Sequence, residues 1–227
     1  MNDKKIIVAL DSNNFHDLKN IVDEIKSHIF AFKIGYEFFL NFGLDGYKFI
    51  QNKNVNIFLD LKLHDIPNTI KHSIETIANL NPYFTTIHIA GGDEMQQMAS
   101  LSKKNVKILG VSILTSLDDM QTEKYYNSKN INDLICKFVK YAMENKLDGI
   151  VCSPHEIKLV KKLSSGNLII VTPGIRIKNY IKNDDQKRFM SPKQAVNLGA
   201  DYLVIGRPIT QSSDPLSELI SINSSIE

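Results

Sequence analysis

Cysteine is nearly absent from this sequence. The two that occur, Cys136 and Cys152, lie in no spacing that is typical of a metal site or a redox pair. This scarcity excludes the class of small secreted proteins that disulfides hold together. We therefore expect two free, buried thiols in a reducing cytoplasm.

Long apolar runs and an excess of one charge are also missing. Only five apolar residues separate the charged start of the chain from Asp11, too few for the core of a signal peptide. Lys33 and Glu37 interrupt the apolar region of residues 29–44, so it does not fit a membrane span. A net charge of +2 without a basic block gives no sign of nucleic-acid binding. These absences predict a cytoplasmic protein with neither membrane nor nucleic acid as a partner.

What the sequence does contain is a regular alternation of strand-like and helix-like segments. Short runs rich in β-branched residues alternate with segments whose apolar residues recur at helical spacing. Residues 118–130 are polar, and we assign no element to them. The predicted strands are residues 6–10, 31–35, 56–63, 85–90, 106–114, 148–152, 168–172 and 202–206. The predicted helices cover residues 15–25, 36–53, 66–79, 95–101, 131–145 and 191–198, with further helices starting near residues 153 and 214.

Eight strand-then-helix units predict a (β/α)₈ barrel, a TIM barrel of the α/β class. No shift in composition marks a domain boundary, so we expect residues 1–227 to form a single catalytic domain. An open, doubly wound sheet is the alternative, but it often has a glycine-rich turn after its first strand. The turn here, residues 11–14, contains no glycine.

The third predicted strand carries charge where a buried strand should not. Asp60 and Lys62 share one face of this strand, and its leucines share the other. Buried charges are costly unless they are paired, so they are usually retained for a function. Asp65 follows at the end of the strand, and with Pro67 two residues later we expect it to be the N-cap of the next helix. A purely structural ion pair is the alternative.

Other polar residues fall at the carboxyl ends of the predicted strands, where barrel enzymes carry their active sites. Phosphate sites in such barrels commonly use the loops after strands seven and eight. The Gly206-Arg207-Pro208 turn fits this role. The guanidinium group of arginine can donate two hydrogen bonds to a phosphate, and proline is typical of the first turn of a helix. The candidates found by position are Asp11, Lys33, Asp60, Lys62, Asp65, His88, Thr115, residues 173–176, Gly206 and Arg207.

Three other interpretations of these residues were weighed. We favour His88 as a core histidine that a backbone group satisfies. A divalent metal would require converging histidines and carboxylates, whereas the interior positions offer lysines. A Schiff-base aldolase would need Lys33 or Lys62 as a neutral amine. A carboxylate about 4 Å from a lysine favours the ammonium form of that lysine by roughly 4 kcal/mol at an effective dielectric constant near 20. We therefore expect no Schiff base. Because the interior lysines would repel a cation, we also expect no metal.

The chain resembles the monofunctional, bacterial type of the orotidine 5′-phosphate decarboxylase family. Residues 58–69, Phe-Leu-Asp-Leu-Lys-Leu-His-Asp-Ile-Pro-Asn-Thr, are similar to the family signature. The Asp-x-Lys-x-x-Asp element alone also occurs in sister barrels such as hexulose-phosphate synthases. The Gly-Ile-Arg turn at residues 174–176 and the Gly-Arg turn at residues 206–207 make the resemblance specific. Further similar stretches are residues 9–11, 32–35, 88–92, 114–116, 171–173, 185–186 and 204–209.

The resemblance implies the last step of pyrimidine biosynthesis, in which orotidine 5′-monophosphate loses carbon dioxide to give UMP without a cofactor or metal. It implies that Lys62 protonates C6 of the pyrimidine within a charged network of Lys33, Asp60, Lys62 and Asp65. It also implies a homodimer in which Asp65 and Thr69 enter the partner's site.

The remaining roles implied by the resemblance concern substrate binding. Asp11 and Lys33 would hold the ribose hydroxyls, and Thr115 would lie beside the pyrimidine. The residues around the 5′-phosphate would be Arg176, Gln186, Gly206 and Arg207. Two other functions stay open at this point: a metal-assisted sister enzyme that acts on a sugar phosphate, and a silent barrel that only binds a nucleotide.

Overall fold

Eight parallel strands close into a barrel in the computed structural model, which describes residues 4–176 and 190–226. Each strand pairs with the next along the chain, and β1 also pairs with β8, which completes the ring. The strands are β1 Ile6–Ala9, β2 Ala31–Ile34, β3 Asn56–Leu63, β4 Phe84–His88, β5 Lys107–Val111, β6 Gly149–Val151, β7 Ile169–Thr172 and β8 Tyr202–Ile205. This architecture confirms the predicted (β/α)₈ barrel, while the single catalytic domain over residues 1–227 stays a prediction.

Helices surround the barrel in the described part of the chain. Their bounds are α1 Phe15–Ile25, α2 Tyr36–Gln51, α3 Pro67–Leu80, α4 Asp93–Ser102, α5 Asp119–Tyr126, α6 Ile131–Glu144, α7 Ile157–Ser164, α8 Pro192–Leu198, α9 Arg207–Thr210 and α10 Pro215–Ile226. Among these helices, none has both the length and the apolar content that crossing a bilayer requires.

The hydrophobic core has two parts, because successive side chains of a strand point to opposite faces. The larger part lies between strands and helices and includes Leu59 of β3. The smaller part fills the barrel and includes Phe58 of β3 and Phe84 of β4. Asp60 and Thr86 lie two residues further along β3 and β4, so they are on the same inner face as these two phenylalanines. The inner face of β3 therefore passes from an apolar layer to a charged one, as the alternation in its sequence predicts.

Local sequence signals explain most helix ends. Asn14 caps α1 with its side chain, and Ser191 caps α8 in a capping box with Gln194. The predicted capping box at residues 153–156 is present, although it opens a short 3₁₀ turn before α7. The predicted strand and helix bounds differ from the observed ones by up to three residues, the usual uncertainty at element ends.

Three local predictions were wrong. Asp65 is not the N-cap of α3: that position is held by Ile66, and the Asp65 carboxylate accepts a bond from the Ile66 N–H instead. Residues 118–130 contain helix α5, which Asp118 caps and which ends at Asn127 in a left-handed conformation. Finally, β4 stops at His88, because the next three residues form a 3₁₀ turn.

Candidate active site

A row of alternating charges lies at the carboxyl ends of β1, β2 and β3. Lys62 Nζ is 2.7 Å from Asp60 Oδ2, and Lys33 Nζ is 3.7 Å from the same oxygen. Lys33 Nζ is also 3.3 Å from Asp11 Oδ1. Asp60 is buried, so its charge is compensated by two ammonium groups within one small volume. The structure therefore brings together four of the residues that the sequence placed at strand ends.

The charge state of this row follows from the balance between burial and pairing. Burial lowers the pKa of Lys33, but the charges of Asp60 and Asp11 outweigh that effect and hold the pKa above its usual value. Burial likewise raises the pKa of Asp60, and the charges of Lys33 and Lys62, with hydrogen bonds from Lys62 and Thr86, bring it below its usual value. Lys33 therefore stays an ammonium and Asp60 a carboxylate at neutral pH, which argues against Lys33 as a Schiff-base nucleophile.

Gly35 provides the space that the pair of Lys33 and Asp11 occupies. A Cβ atom at this position would lie 2.8 Å from Lys33 Nζ and 3.3 Å from Asp11 Oδ1. A larger side chain would therefore displace the lysine. Gly35 belongs to the similar stretch 32–35, but the resemblance assigns it no role.

The charged row forms one wall of a cavity of about 560 Å³ at this end of the barrel. The side opposite β3 is built by the turns after β7 and β8 and by Thr115 after β5. The predicted site residues that line the cavity are Asp11, Lys33, Asp60, Lys62, Thr115, Arg176, Gly206 and Arg207.

The turn after β8 has the form expected of a phosphate site. Gly206 precedes the short helix α9, whose first turn contains Arg207 and Pro208, as the sequence predicts. On the neighbouring turn, Arg176 Nη1 donates a 2.9 Å hydrogen bond to the carbonyl of Ile175. Both arginines line the cavity, and guanidinium groups of this kind can form paired hydrogen bonds with the oxygens of an anion.

Other predicted site residues lie away from this cavity. Asp65 and Thr69 are exposed, and Thr69 lines a separate groove that runs between β3 and α3, with Leu61, Leu63 and His72. Gln186 lies outside the described residues, as does most of the predicted loop of residues 174–190. Their roles stay predictions.

His88 lies outside the cavity and is half-buried rather than part of the core. Its ring centre is 5.4 Å from that of His64. Burial, together with the charges of His64 and Lys62, lowers the pKa of His88. The contact with His64 was not predicted, and the expected backbone partner stays a prediction.

Several cavity residues were not singled out by the sequence analysis. Glu37, Cys152 and Gln211 line the cavity. Thr86 lies behind it and donates a 2.9 Å hydrogen bond to Asp60 Oδ1. Counting by two along β4 from Phe84 would have placed Thr86 in the barrel at the level of Asp60, so a signal for it existed.

Two further findings concern sites elsewhere. A cavity of about 850 Å³ lies at the opposite end of the barrel, where the strands begin, and residues such as Phe30 and Tyr83 line it. Enzymes of this fold build their sites at the carboxyl ends instead, so we assign catalysis to the smaller cavity. Within residues 4–176 and 190–226, no three His, Cys, Asp or Glu side chains are grouped so that they could hold a metal ion.

Comparison with known proteins decides the family. The model of the orotidine 5′-phosphate decarboxylase / HUMPS family matches residues 4–222. The chain belongs to this family. The match covers nearly the whole chain, in agreement with the resemblance seen in the signature around Lys62.

Individual members of the orotidine 5′-phosphate decarboxylase / HUMPS family agree with this assignment over nearly their full length. The orotidine 5′-phosphate decarboxylase of Glaesserella parasuis serovar 5 (strain SH0165) is 38% identical over 229 residues, covering 99% of each chain. That of Dictyoglomus thermophilum (strain ATCC 35947 / DSM 3960 / H-6-12) is also 38% identical, over 98% of this chain and 95% of the other. The crystal structure of the enzyme of that name from Lactobacillus acidophilus superimposes with a TM-score of 0.86 at 33% identity, covering 99% of this chain and 100% of that chain.

Proposed function

We propose that this protein decarboxylates orotidine 5′-monophosphate to UMP and carbon dioxide, the last step of pyrimidine biosynthesis. The observation that carries the proposal is one cavity with the row of Lys33, Asp60 and Lys62 on one side and Arg176 and Arg207 on the other. The name of the family and the names of its members with about 38% identity support the same activity.

In the chemistry that we propose, Lys62 is the group that donates the proton to C6. When the bond between C6 and the carboxylate breaks, the electron pair stays on C6, a vinylic carbon that the ring cannot delocalise well. An ammonium held beside C6 stabilises this charge without reorganisation and then transfers a proton to the carbon. Asp60, 2.7 Å from Lys62 Nζ, pairs with this group and would hold it in place beside C6.

The rest of the substrate would occupy the cavity between the two sides. Asp11 and Lys33 would bind the ribose hydroxyls, and Thr115 would lie beside the pyrimidine. The 5′-phosphate would lie between the turns after β7 and β8, where Arg176, Gly206 and Arg207 line the cavity. Gln186 would join them from the loop that follows β7. Binding energy from the phosphate, remote from C6, would help to order the site for decarboxylation.

We also propose that two subunits share each site. Asp65 and Thr69 are exposed and do not line the cavity of their own chain, and Thr69 lines a groove that contains apolar residues. Ile66, between them, is 66% exposed, so a partner that docks here would bury a large apolar side chain. A homodimer with a two-fold axis would place Asp65 and Thr69 in the partner's site and complete the charged network. A cytoplasmic location, which the two free cysteines suit, is part of the same proposal.

The test is the absorbance change of orotidine 5′-monophosphate with purified protein in excess EDTA. The control is Lys62→Ala protein purified in the same way, which reports any activity from the expression host. We expect turnover with wild type and none with the variant. Turnover that EDTA abolishes, with activity on a hexulose phosphate, would support a metal-assisted sister enzyme instead. Tight UMP binding without any turnover would indicate a silent binding protein.

A further inference from the structure

Strand β3 departs from regular geometry at the residue that the mechanism depends on. Lys62 has φ 41°, a left-handed conformation that is uncommon for a residue other than glycine. The pairing of β3 with β4 shifts register between Leu59 and Leu63. The regular hydrogen bonds between parallel strands therefore do not pair the Lys62 N–H, and another group must accept its hydrogen bond.

That group is the hydroxyl of Thr86 on β4. The Lys62 N–H donates a 2.8 Å hydrogen bond to Thr86 Oγ1, and Thr86 Oγ1 donates a 2.9 Å hydrogen bond to Asp60 Oδ1. Thr86 is completely buried, so water does not replace either partner. Since a hydroxyl has one hydrogen, donating it to Asp60 leaves the oxygen lone pairs to accept from Lys62.

This bridge fixes the orientation of the Asp60 carboxylate. With Oδ1 held by Thr86, Oδ2 is the oxygen that contacts Lys62 Nζ at 2.7 Å and Lys33 Nζ at 3.7 Å. One hydroxyl thus holds both the backbone of the lysine and the carboxylate that pairs with its ammonium. A second contact supports the same segment, because Tyr36 donates a 2.6 Å hydrogen bond to the carbonyl of Leu61.

We propose that Thr86 is a positioning residue for decarboxylation, which holds Lys62 and Asp60 in the geometry that delivers the proton to C6. This inference rests on the proposed function. Thr86 itself touches no substrate in this scheme, and its effect passes through the two charged residues.

The chain offers a matched control in the preceding residue. Thr85 is also completely buried, but it lies on the other face of β4 and donates a 2.9 Å hydrogen bond to the carbonyl of Leu59. Thr85→Val and Thr86→Val each remove one buried hydroxyl with little change in shape. Only the second removes a contact with the charged row.

The experiment compares kcat, KM and Tm for wild type, Thr85→Val, Thr86→Val and Thr86→Ser. We expect Thr86→Val to lower kcat about 10- to 100-fold with KM nearly unchanged, the loss that a misplaced catalytic group produces. Thr86→Ser keeps the hydroxyl and should restore most of kcat. Thr85→Val should lower Tm about as much as Thr86→Val while its kcat stays near wild type.

Crystal structures of the same proteins separate this inference from the proposed function. Thr86→Val should displace the Asp60 carboxylate or Lys62 Nζ, and Thr86→Ser should not. Unchanged kcat in Thr86→Val, equal loss in both valine variants, or a loss of kcat without displacement would each overturn the positioning role. If wild type does not decarboxylate orotidine 5′-monophosphate, the proposed function fails. The crystal structures then decide alone whether Thr86 holds the pair.

Discussion

Asp60 pairs with two lysines at once, and their charges hold the pKa of this buried carboxyl below its usual value. Taking a carboxylate out of water is costly, and each ammonium that pairs with it offsets part of that cost. Lys33 supplies that second charge from β2, 3.7 Å away, and is itself shared with Asp11. Removing Asp60 takes a partner from both lysines, and removing either lysine leaves Asp60 with one ammonium fewer, so variants in this row require a measurement of stability beside activity.

At Lys62 we expect that Lys62→Ala abolishes turnover and leaves the fold intact, because this side chain is the proton donor that we propose. The measurement is kcat, together with circular dichroism and UMP binding. Lys103→Ala, which removes a 2.6 Å ion pair with Asp148 outside the cavity, is the control of equal size. Retention of more than about a hundredth of the wild-type kcat exceeds what losing a general acid leaves and would contradict the role.

At Arg207 we expect a loss of activity that depends on the phosphate group of the substrate. Arg207→Ala should weaken kcat/KM for orotidine 5′-monophosphate far more than for the nucleoside without phosphate, because the lost guanidinium group acts on the phosphate. Measuring both substrates on both proteins makes the nucleoside an internal control. An equal loss for the two substrates would show that Arg207 is not a phosphate ligand.

At the scale of elements, helices α2 and α3 are joined at the amino end of the barrel. Tyr47 of α2 is completely buried, and its hydroxyl donates a 3.0 Å hydrogen bond to the carbonyl of Leu80, the last residue of α3. Gln51 donates to the same carbonyl at 2.9 Å. These bonds satisfy a carbonyl that a helix end leaves without an intrahelical partner. They hold in place the helix that carries Thr69.

The buried hydroxyl of Tyr47 predicts that the free energy of unfolding falls at alkaline pH. Burial raises the pKa of Tyr47 from its ordinary value near 10 to about 12. Because the folded state binds this proton more tightly, its contribution is present below pH 10 and is lost as the pH rises towards 12. The loss corresponds to at most ~3 kcal/mol of the free energy of unfolding.

The test is chemical denaturation between pH 8 and about 12 of wild type and Tyr47→Phe, with Tyr125→Phe at an exposed tyrosine as the control. Tyr47→Phe should be about 1 kcal/mol less stable at pH 8, where it lacks the hydrogen bond. Its stability should then fall less with pH, so that it becomes the more stable protein near pH 12. Parallel curves for Tyr47→Phe and wild type would argue against the shifted pKa.

At the scale of the whole molecule, the barrel gathers residues that the sequence separates. Asp11, Lys62, Thr115 and Arg207 come from different βα units and line one cavity. Parallel strands achieve this because their carboxyl ends all lie on one face of the barrel. Asp65 and Thr69 are the exception, since neither lines the cavity of its own chain.

A shared site makes a prediction about mixtures of two inactive proteins. After dissociation and reassociation, a hybrid of Lys62→Ala and Asp65→Ala should have one site with both lesions and one with neither. Random two-fold pairing of equal pools then restores about a quarter of the wild-type sites. The control is a mixture of Lys62→Ala with Asp60→Ala, whose lesions lie in the same cavity, and it should stay inactive. If the first mixture also stays inactive while native mass spectrometry confirms hybrids, Asp65 serves its own subunit.

Local sequence patterns were enough to predict the fold and the charged wall of the cavity. Strand alternation, helical spacing and turn residues are local properties, and eight repeats of one unit leave few topologies, so the barrel followed without tertiary information. The rule that sites lie at the carboxyl ends of strands then selected Asp11, Lys33, Asp60 and Lys62. The structure brings these four residues together in one cavity, while their roles stay predictions.

How these residues meet depends on contacts between strands that are distant in the sequence. The left-handed turn at Lys62, the bridge by Thr86 and the space left by Gly35 each depend on atoms of a neighbouring strand or turn. Asp65 was assigned to a helix cap because its position fits one, but its carboxylate binds the adjacent N–H instead. A sequence pattern gives the face on which a side chain lies. The partner of a buried hydroxyl or charge depends on the register between strands, which is set only when the barrel closes.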